Sequence, residues 1–142
     1  MKENVEFLNY IYQNAQMGVI GINDIINAID DENLSKKIEE QLADYEKIVE
    51  ECLTIFKKYG KEKQDINPVA KMSSYMMSKM KLMKDSSSSA IAKMMIEGSN
   101  KGIIEITEKL NNYPKDDQEI VDLANKLLDI EQKNLDDLKD FL

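Results

Sequence analysis

Residues 5–29 read VEFLNYIYQNAQMGVIGINDIINAI, and the spacing of their apolar members decides the fold. Val5, Leu8, Tyr12, Ala15, Val19, Ile22, Ile26 and Ile29 follow at alternating intervals of three and four. An apolar seam with that period is the mark of a helix packed along one face, and it predicts a helix over about residues 3–29. Asp30-Asp31-Glu32-Asn33 breaks the seam and supplies side chains suited to capping a helix start. A second seam follows through Leu34, Ile38, Gln41, Tyr45, Ile48, Cys52, Ile55 and Tyr59, and stops at Gly60. Glycine accepts the left-handed conformation that closes a helix, so the second helix spans about residues 33–59. The short turn between the two makes them an antiparallel hairpin.

The rest of the chain repeats this plan after a long interval. Lys61 to Pro68 is polar, and residues 69–84 have a short helical composition before the Ser86-Ser87-Ser88-Ser89 run. Those serines read as an N-cap region for a third long helix, residues 88–113, closed by Asn111, Asn112 and Pro114. Asp116 or Asp117 caps the fourth, residues 116–142, whose seam is Ile120, Ala124, Leu127, Glu131, Asn134, Leu138 and Phe141. No strand-like alternation of useful length interrupts these segments. A helix over 69–84 would travel about 24 Å at 1.5 Å per residue, enough with its flanks to return the chain along the bundle. The expectation is one all-α domain over residues 1–142: two helical hairpins joined by a long crossover.

Composition narrows the chemistry. The 142 residues include no histidine, no arginine, no tryptophan and a single cysteine, and the net charge is −8. Without imidazole, Ser-His-Asp triads, Cys-His dyads and the usual zinc and carboxylate-histidine iron sites are excluded in their standard forms. Without guanidinium and with a surplus of acids, nucleic acid is not an expected partner. The uncharged stretch from Asn9 to Asn23 contains Gln13, Asn14 and Gln16 and is too short and polar to span a bilayer. The chain opens Met-Lys-Glu-Asn with no apolar run, and its one thiol has no partner; both suggest a cytoplasmic setting.

Two seams carry polar residues where apolar ones would pack better: Gln41 in the second, and Glu131 with Asn134 in the fourth. A buried polar group without a partner costs about 1–3 kcal/mol on protein mutational scales, so such groups are expected to meet. Folding the third and fourth helices about residues 114–115 sets Glu131 opposite Gly98, beside Glu97, and Asn134 opposite Met95. Folding the first pair about residues 31–32 sets Gln41 near Gly21 and Tyr45 near Met17, next to Gln16. The candidate polar layer is Gln16, Gln41, Tyr45, Glu97, Glu131 and Asn134, with Gly98 and Gly102 allowing close approach from the third helix.

In this arrangement the chain resembles the ferritin-like superfamily, whose rubrerythrin-type and ferritin-type members share the plan of helix pair, crossover and helix pair. The resemblance implies a di-iron site with one carboxylate from each of the first and third helices and a Glu-x-x-His from the second and fourth. Glu97 in Glu97-Gly98-Ser99-Asn100 matches the third-helix carboxylate. Glu131-Gln132-Lys133-Asn134 matches the fourth-helix motif with Asn in place of His. Gln41-Leu42-Ala43-Asp44 is the nearest second-helix equivalent, and the first-helix slot falls at Gln13 to Gln16, where amides replace the carboxylate. The resemblance therefore implies the fold, an antiparallel four-helix bundle, with a degenerate metal site.

Other features read more simply. Met72, Met76, Met80 and Met83 share one helical face, with Met77 beside it and Met94-Met95 downstream. The expected use of that crossover face is gap-filling packing, or self-association where it stays exposed. Cys52 lies on a seam and reads as a buried, inert thiol. The acid-rich end, with Asp129, Glu131, Asp136, Asp137 and Asp140 among interspersed Lys, reads as mostly a solvated face. The functional expectation is a non-catalytic, dimeric structural or interaction protein with no cofactor and no membrane insertion. The alternative is a divalent-metal or small-ligand binder, or a weak oxidoreductase, using the layer around Glu97 and Glu131.

Overall fold

A computed structural model describes residues 2–61 and 87–142, and those residues form four long helices with no strand among them. They are α1 (Lys2–Ile25), α2 (Glu32–Lys58), α3 (Ser88–Asn112) and α4 (Gln118–Leu138). The all-α expectation holds, and the helix limits fall within a few residues of those read from the seams. The end of α1 tightens into a 3-10 turn at Ile26–Ala28, and α4 runs into another at Lys139–Phe141. The expected crossover helix over 69–84, its Met72, Met76, Met77, Met80 and Met83, and Ser86 all lie outside the described residues.

Local chemistry explains where the helices begin and stop. Asp31 caps α2, its Oδ1 accepting from the Asn33 and Leu34 amides at 2.9 and 3.1 Å. Ser87 caps α3 by accepting from the Ala90 amide at 3.2 Å, and Asp117 caps α4 by accepting from the Glu119 amide at 2.9 Å. At the far end of α2, Gly60 takes φ +63°. The Gly60 amide donates to the Lys57 carbonyl and the Lys61 amide to the Phe56 carbonyl, each at 3.1 Å. That pair is the double closure expected of a left-handed glycine after a helix.

Long-range contacts set the helix directions. Asn4 donates to the Tyr59 hydroxyl at 3.2 Å while Gly18 faces the Tyr45 ring, so α1 and α2 run antiparallel. Lys58 pairs with Glu119 and Lys126 with Glu51, so α2 and α4 are antiparallel too. Tyr113 donates to Asn4 and Tyr10 to Glu105, which makes α3 antiparallel to α1. The sequence of directions is up, down, down, up. The Ser88 hydroxyl accordingly reaches Asp31 at 2.7 Å, joining the start of α3 to the start of α2. The described end of α2 and the start of α3 stand at opposite ends of the molecule.

One apolar core runs between the four helices. Leu8, Ile11, Ala15, Leu34, Ile38, Ile48, Cys52, Ala92, Ile106, Ile120, Ala124, Leu127 and Leu138 are fully buried within it. Met94 and Met95 are core residues as well. Burial of this aliphatic surface, worth about 25 cal/mol per Å² of apolar area, is what holds helices whose outer faces are charged. One end is further fastened by a polar cluster. Tyr113 donates to Asn4 Oδ1 at 2.5 Å and accepts from the Asp117 amide at 3.2 Å, while the Tyr59 hydroxyl donates to Asp117. That cluster ties α1, α2 and the start of α4 together, and each of its inward polar groups finds a partner.

Candidate functional site

Halfway along the helices the apolar core is interrupted. Gln41 and Tyr45 lie one turn apart on α2, Ser99 sits on α3, and Glu131 and Asn134 lie one turn apart on α4. All five are at most 6% exposed. Helical spacing places each pair on one face, and the antiparallel register of α2 and α4 brings Tyr45 to the level of Glu131. The Tyr45 hydroxyl faces Glu131, Asn134 and Ser99.

Two glycines make room for this layer. A Cβ on Gly102 would lie 3.1 Å from Glu131 Oε1 and 3.3 Å from its Cδ, so the carboxyl packs directly on the α3 backbone. A Cβ on Gly18 would lie 2.9 Å from the Tyr45 ring, so α1 seats that ring at a point where it has no side chain. Gly98, by contrast, faces open space.

The electrostatics follow from burial. Removal from water favours the neutral carboxylic acid, and Glu131 is pushed up to about 7, although the Tyr45 and Ser99 hydroxyls favour its charged form. Tyr45 is held well above the usual phenol range, first by burial and then by the Glu131 charge. Four atoms of the layer, Gln41 Nε2, Glu131 Oε2 and both amide atoms of Asn134, are buried without a hydrogen-bond partner. The Tyr45 and Ser99 hydroxyls, which favour the charged form of Glu131, are not among these four atoms. Buried polar atoms are normally paired, so this layer stands apart from the fully paired cluster around Asn4.

The structure brings together four of the six residues expected in the layer: Gln41, Tyr45, Glu131 and Asn134. Gln16 is only half-buried on α1. Glu97 is exposed on the outer side of α3, about 200° around the helix from Met95 and Ser99, which take the inner positions. The expected pairing of Glu131 with Gly98 is corrected to Gly102, one turn along α3. The correction has a local cause: the connection between the helices runs from Tyr113 to Asp117, with Lys115 at φ 61°, so α4 starts later than its first acidic residue suggested. Ser99 was not among the expected members; its place one turn from Gly102 on the inner face is the signal that would have found it.

The donor set does not fit a pair of iron ions. It holds one buried carboxylate, and among the described residues no group of three or more Cys, Asp or Glu side chains is placed to hold a metal. Asp44, the other second-helix candidate, lies partly exposed. Elsewhere, an open cleft between α2 and α4 is bridged by Lys58–Glu119 at 2.8 Å and Lys126–Glu51 at 2.5 Å, with Asp122 as a third acid beside the two pairs. No protein-family model, curated protein or solved structure matches the chain. Likewise, none of the described helices is long and apolar enough to cross a membrane.

Proposed function

We propose that this chain is a ferritin-like helical bundle that performs no iron chemistry and serves as a dimeric structural or protein-interaction element in the cytoplasm. The helix directions, up, down, down and up, support the ferritin-like plan, in which two hairpins are joined from one end to the other. The observation that carries the non-catalytic reading is the single buried carboxylate among the described residues. With Glu97 on the outer face and Asn134 in the imidazole position, Glu131 has no second acid with which to bridge two metal ions. In this reading the layer fixes helix register, as isolated polar core positions do in coiled coils.

A second reading is favoured by the four unpartnered atoms. Gln41, Tyr45, Ser99, Glu131 and Asn134 offer a carboxylate, two hydroxyls and two amides to a small polar ligand or a hard cation, for which oxygen donors are suited. Metal analysis of protein purified without chelators separates the two. The structural reading expects no stoichiometric metal and no rise in Tm on adding Mg²⁺, Mn²⁺ or Ca²⁺. Near-stoichiometric metal that is lost in E131A would overturn it. Sedimentation equilibrium tests the dimer, and a mass of 16.3 kDa at high protein concentration would refute it.

A further inference from the structure

We propose that the outer face of α2 and α4 is the surface on which two copies of this chain associate, about a two-fold axis that runs along the cleft between the helices. This rests on the dimeric reading above and assigns the face. The two helices bring the same pattern into the cleft. Glu51 and Lys58 stand seven residues apart on α2, as Glu119 and Lys126 do on α4, and Ile55 and Leu123 hold the same place within each interval. Because the helices are antiparallel, the acid of one lies opposite the lysine of the other. Glu51 pairs with Lys126 at 2.5 Å and Glu119 with Lys58 at 2.8 Å.

The alternation continues at helical spacing. One and two turns before Glu51, Lys47 and Asp44 share its face of α2. At the same levels α4 carries Asp129 and Lys133, in the register fixed by the two cross-helix pairs. From Asp44 to Lys58, α2 therefore reads negative, positive, negative, positive, and α4 beside it reads the reverse. The four side chains of the cross-helix pairs each remain at least 42% exposed. Each can thus meet a second opposite charge without giving up its first.

A face of one sign suits a partner of the other sign, whereas an alternating face suits one that alternates in the opposite phase. A second copy of this chain supplies that phase. Rotation about the cleft lays α2 of one copy over α4 of the other at the same level. Glu51 then meets Lys126 of the partner subunit, and Lys58 meets Glu119 of the partner subunit. Every lysine lies between two acids and every acid between two lysines, a network of the kind that holds where an isolated surface pair contributes little.

Asp122 selects this axis over the other one available. It accepts from the neutral Gln118 amide at 2.8 Å, and Thr54 stands at its place on α2. Rotation along the cleft sets Asp122 against Thr54 of the partner subunit, whose hydroxyl can donate to it. Rotation across the cleft would also match Glu51 with a lysine, Lys58, but would bring the two copies of Asp122 together near the axis, like charge against like. Ile55 and Leu123 are each only 4% exposed at the floor, so charge matching selects the face more than apolar burial does. From Asp44 to Lys58 the face is about 21 Å long and two helices wide, or about 400 Å² per copy. A standard interface buries about 800 Å² per partner, so this association is weak and reversible.

The test exchanges one pair of charges in mid-helix, in the full chain carrying Glu51→Lys and Lys126→Glu. The pair within the chain survives with its polarity reversed and the net charge is unchanged, so the fold is kept, as Tm will show. Native and exchanged chains should each sediment as dimers at high protein concentration. Mixed together, they should form mixed dimers at least about tenfold less often than chance, read by energy transfer between chains labelled at the N-terminus. The mixed dimer sets like charges together at both exchanged positions. Mixing at the chance level overturns the assignment of this face and leaves the dimeric reading standing. Loss of self-association in the exchanged chain also overturns it, because rotation across the cleft sets the exchanged position 51 against Lys58 of the partner subunit. A native mass of 16.3 kDa at every concentration removes both the face and the dimer. The exchange of Lys47→Glu with Asp129→Lys repeats the comparison one turn away and decides the matter where the first exchange lowers Tm.

Discussion

Gly98 and Gly102 lie one turn apart on α3 and should respond oppositely to the same substitution. Alanine is favoured over glycine in a helix interior by about 0.8–1.0 kcal/mol. At Gly98 a Cβ meets nothing within 4 Å, so G98A should realise that gain. At Gly102 the new methyl would lie 3.1 Å from Glu131 Oε1 and 3.3 Å from Cδ. Glu131 must then move by a few tenths of an ångström inside a packed layer, and overpacking of a core costs about 1–3 kcal/mol. G102A should therefore fall below G98A by about 1–3 kcal/mol in urea denaturation. At this chain length 1 kcal/mol corresponds to roughly 3–4 °C in Tm. Combining G102A with E131A removes the obstructing carboxyl, and the alanine gain should return in that background. Equal stabilisation by G98A and G102A would show that Glu131 does not rest on Gly102, and the description of the layer would fall with it.

Further outcomes follow from other parts of the fold. Tyr113→Phe leaves Asn4 Oδ1 and the Asp117 amide without their shared hydroxyl, and should cost about 1–3 kcal/mol in chemical denaturation; a neutral result would mean that the cluster around Asn4 does not fasten the helix ends. Cys52 is fully buried, and burial, with Glu51 nearby, pushes its thiol up to about 12. It should resist a thiol reagent at pH 8 in native protein and react at once in denaturant, and rapid native labelling would contradict its place in the seam. Asp31 is held below the usual carboxylate range by the Ser88 hydroxyl and the Leu34 amide. Its contribution is present above the unfolded value and lost as pH falls through the folded one, so D31A should lower Tm at neutral pH and lose less on acidification than the native chain.

The seams of α1, α2 and α4 were legible because each repeats the same three-four spacing over many turns, and a long repeat averages out single exceptions. Leu34, Ile38, Gln41, Tyr45, Ile48, Cys52 and Ile55 are all buried as that spacing requires. The register of the first hairpin follows from its short turn. Pairing about residues 31–32 put Tyr45 near Met17, and its ring rests on Gly18. That of the second hairpin does not, because its connection contains a left-handed Lys115, a conformation that lysine does not advertise. A shift of one turn was enough to exchange Gly98 for Gly102. The side of α3 was harder still. Ser99 and Gly102 occupy inner positions without being apolar, whereas Glu97 drew attention as an acid and faces out. Pattern alone finds where polar residues break a seam, but not which side chains from a neighbouring, weakly patterned helix will meet them.

The directions of the four helices have a consequence for how the molecule assembles. α1 with α2, and α3 with α4, are each neighbours in sequence as well as in space, so their contacts close short loops and should form early. Docking one pair on the other closes a much longer loop and comes later. Tyr45 belongs to the first pair, and Ser99, Glu131 and Asn134 to the second. The polar layer thus lies across the late-closing seam, where two largely aliphatic faces could otherwise slide by a turn at little loss. A slipped docking would take Glu131 away from the Tyr45 hydroxyl and leave it Ser99 alone of the two hydroxyls that favour its charged form, at a cost in unmatched polarity. The polar groups of the layer are matched across the two halves only in the docked frame of the native bundle, which favours that frame over its slipped alternatives.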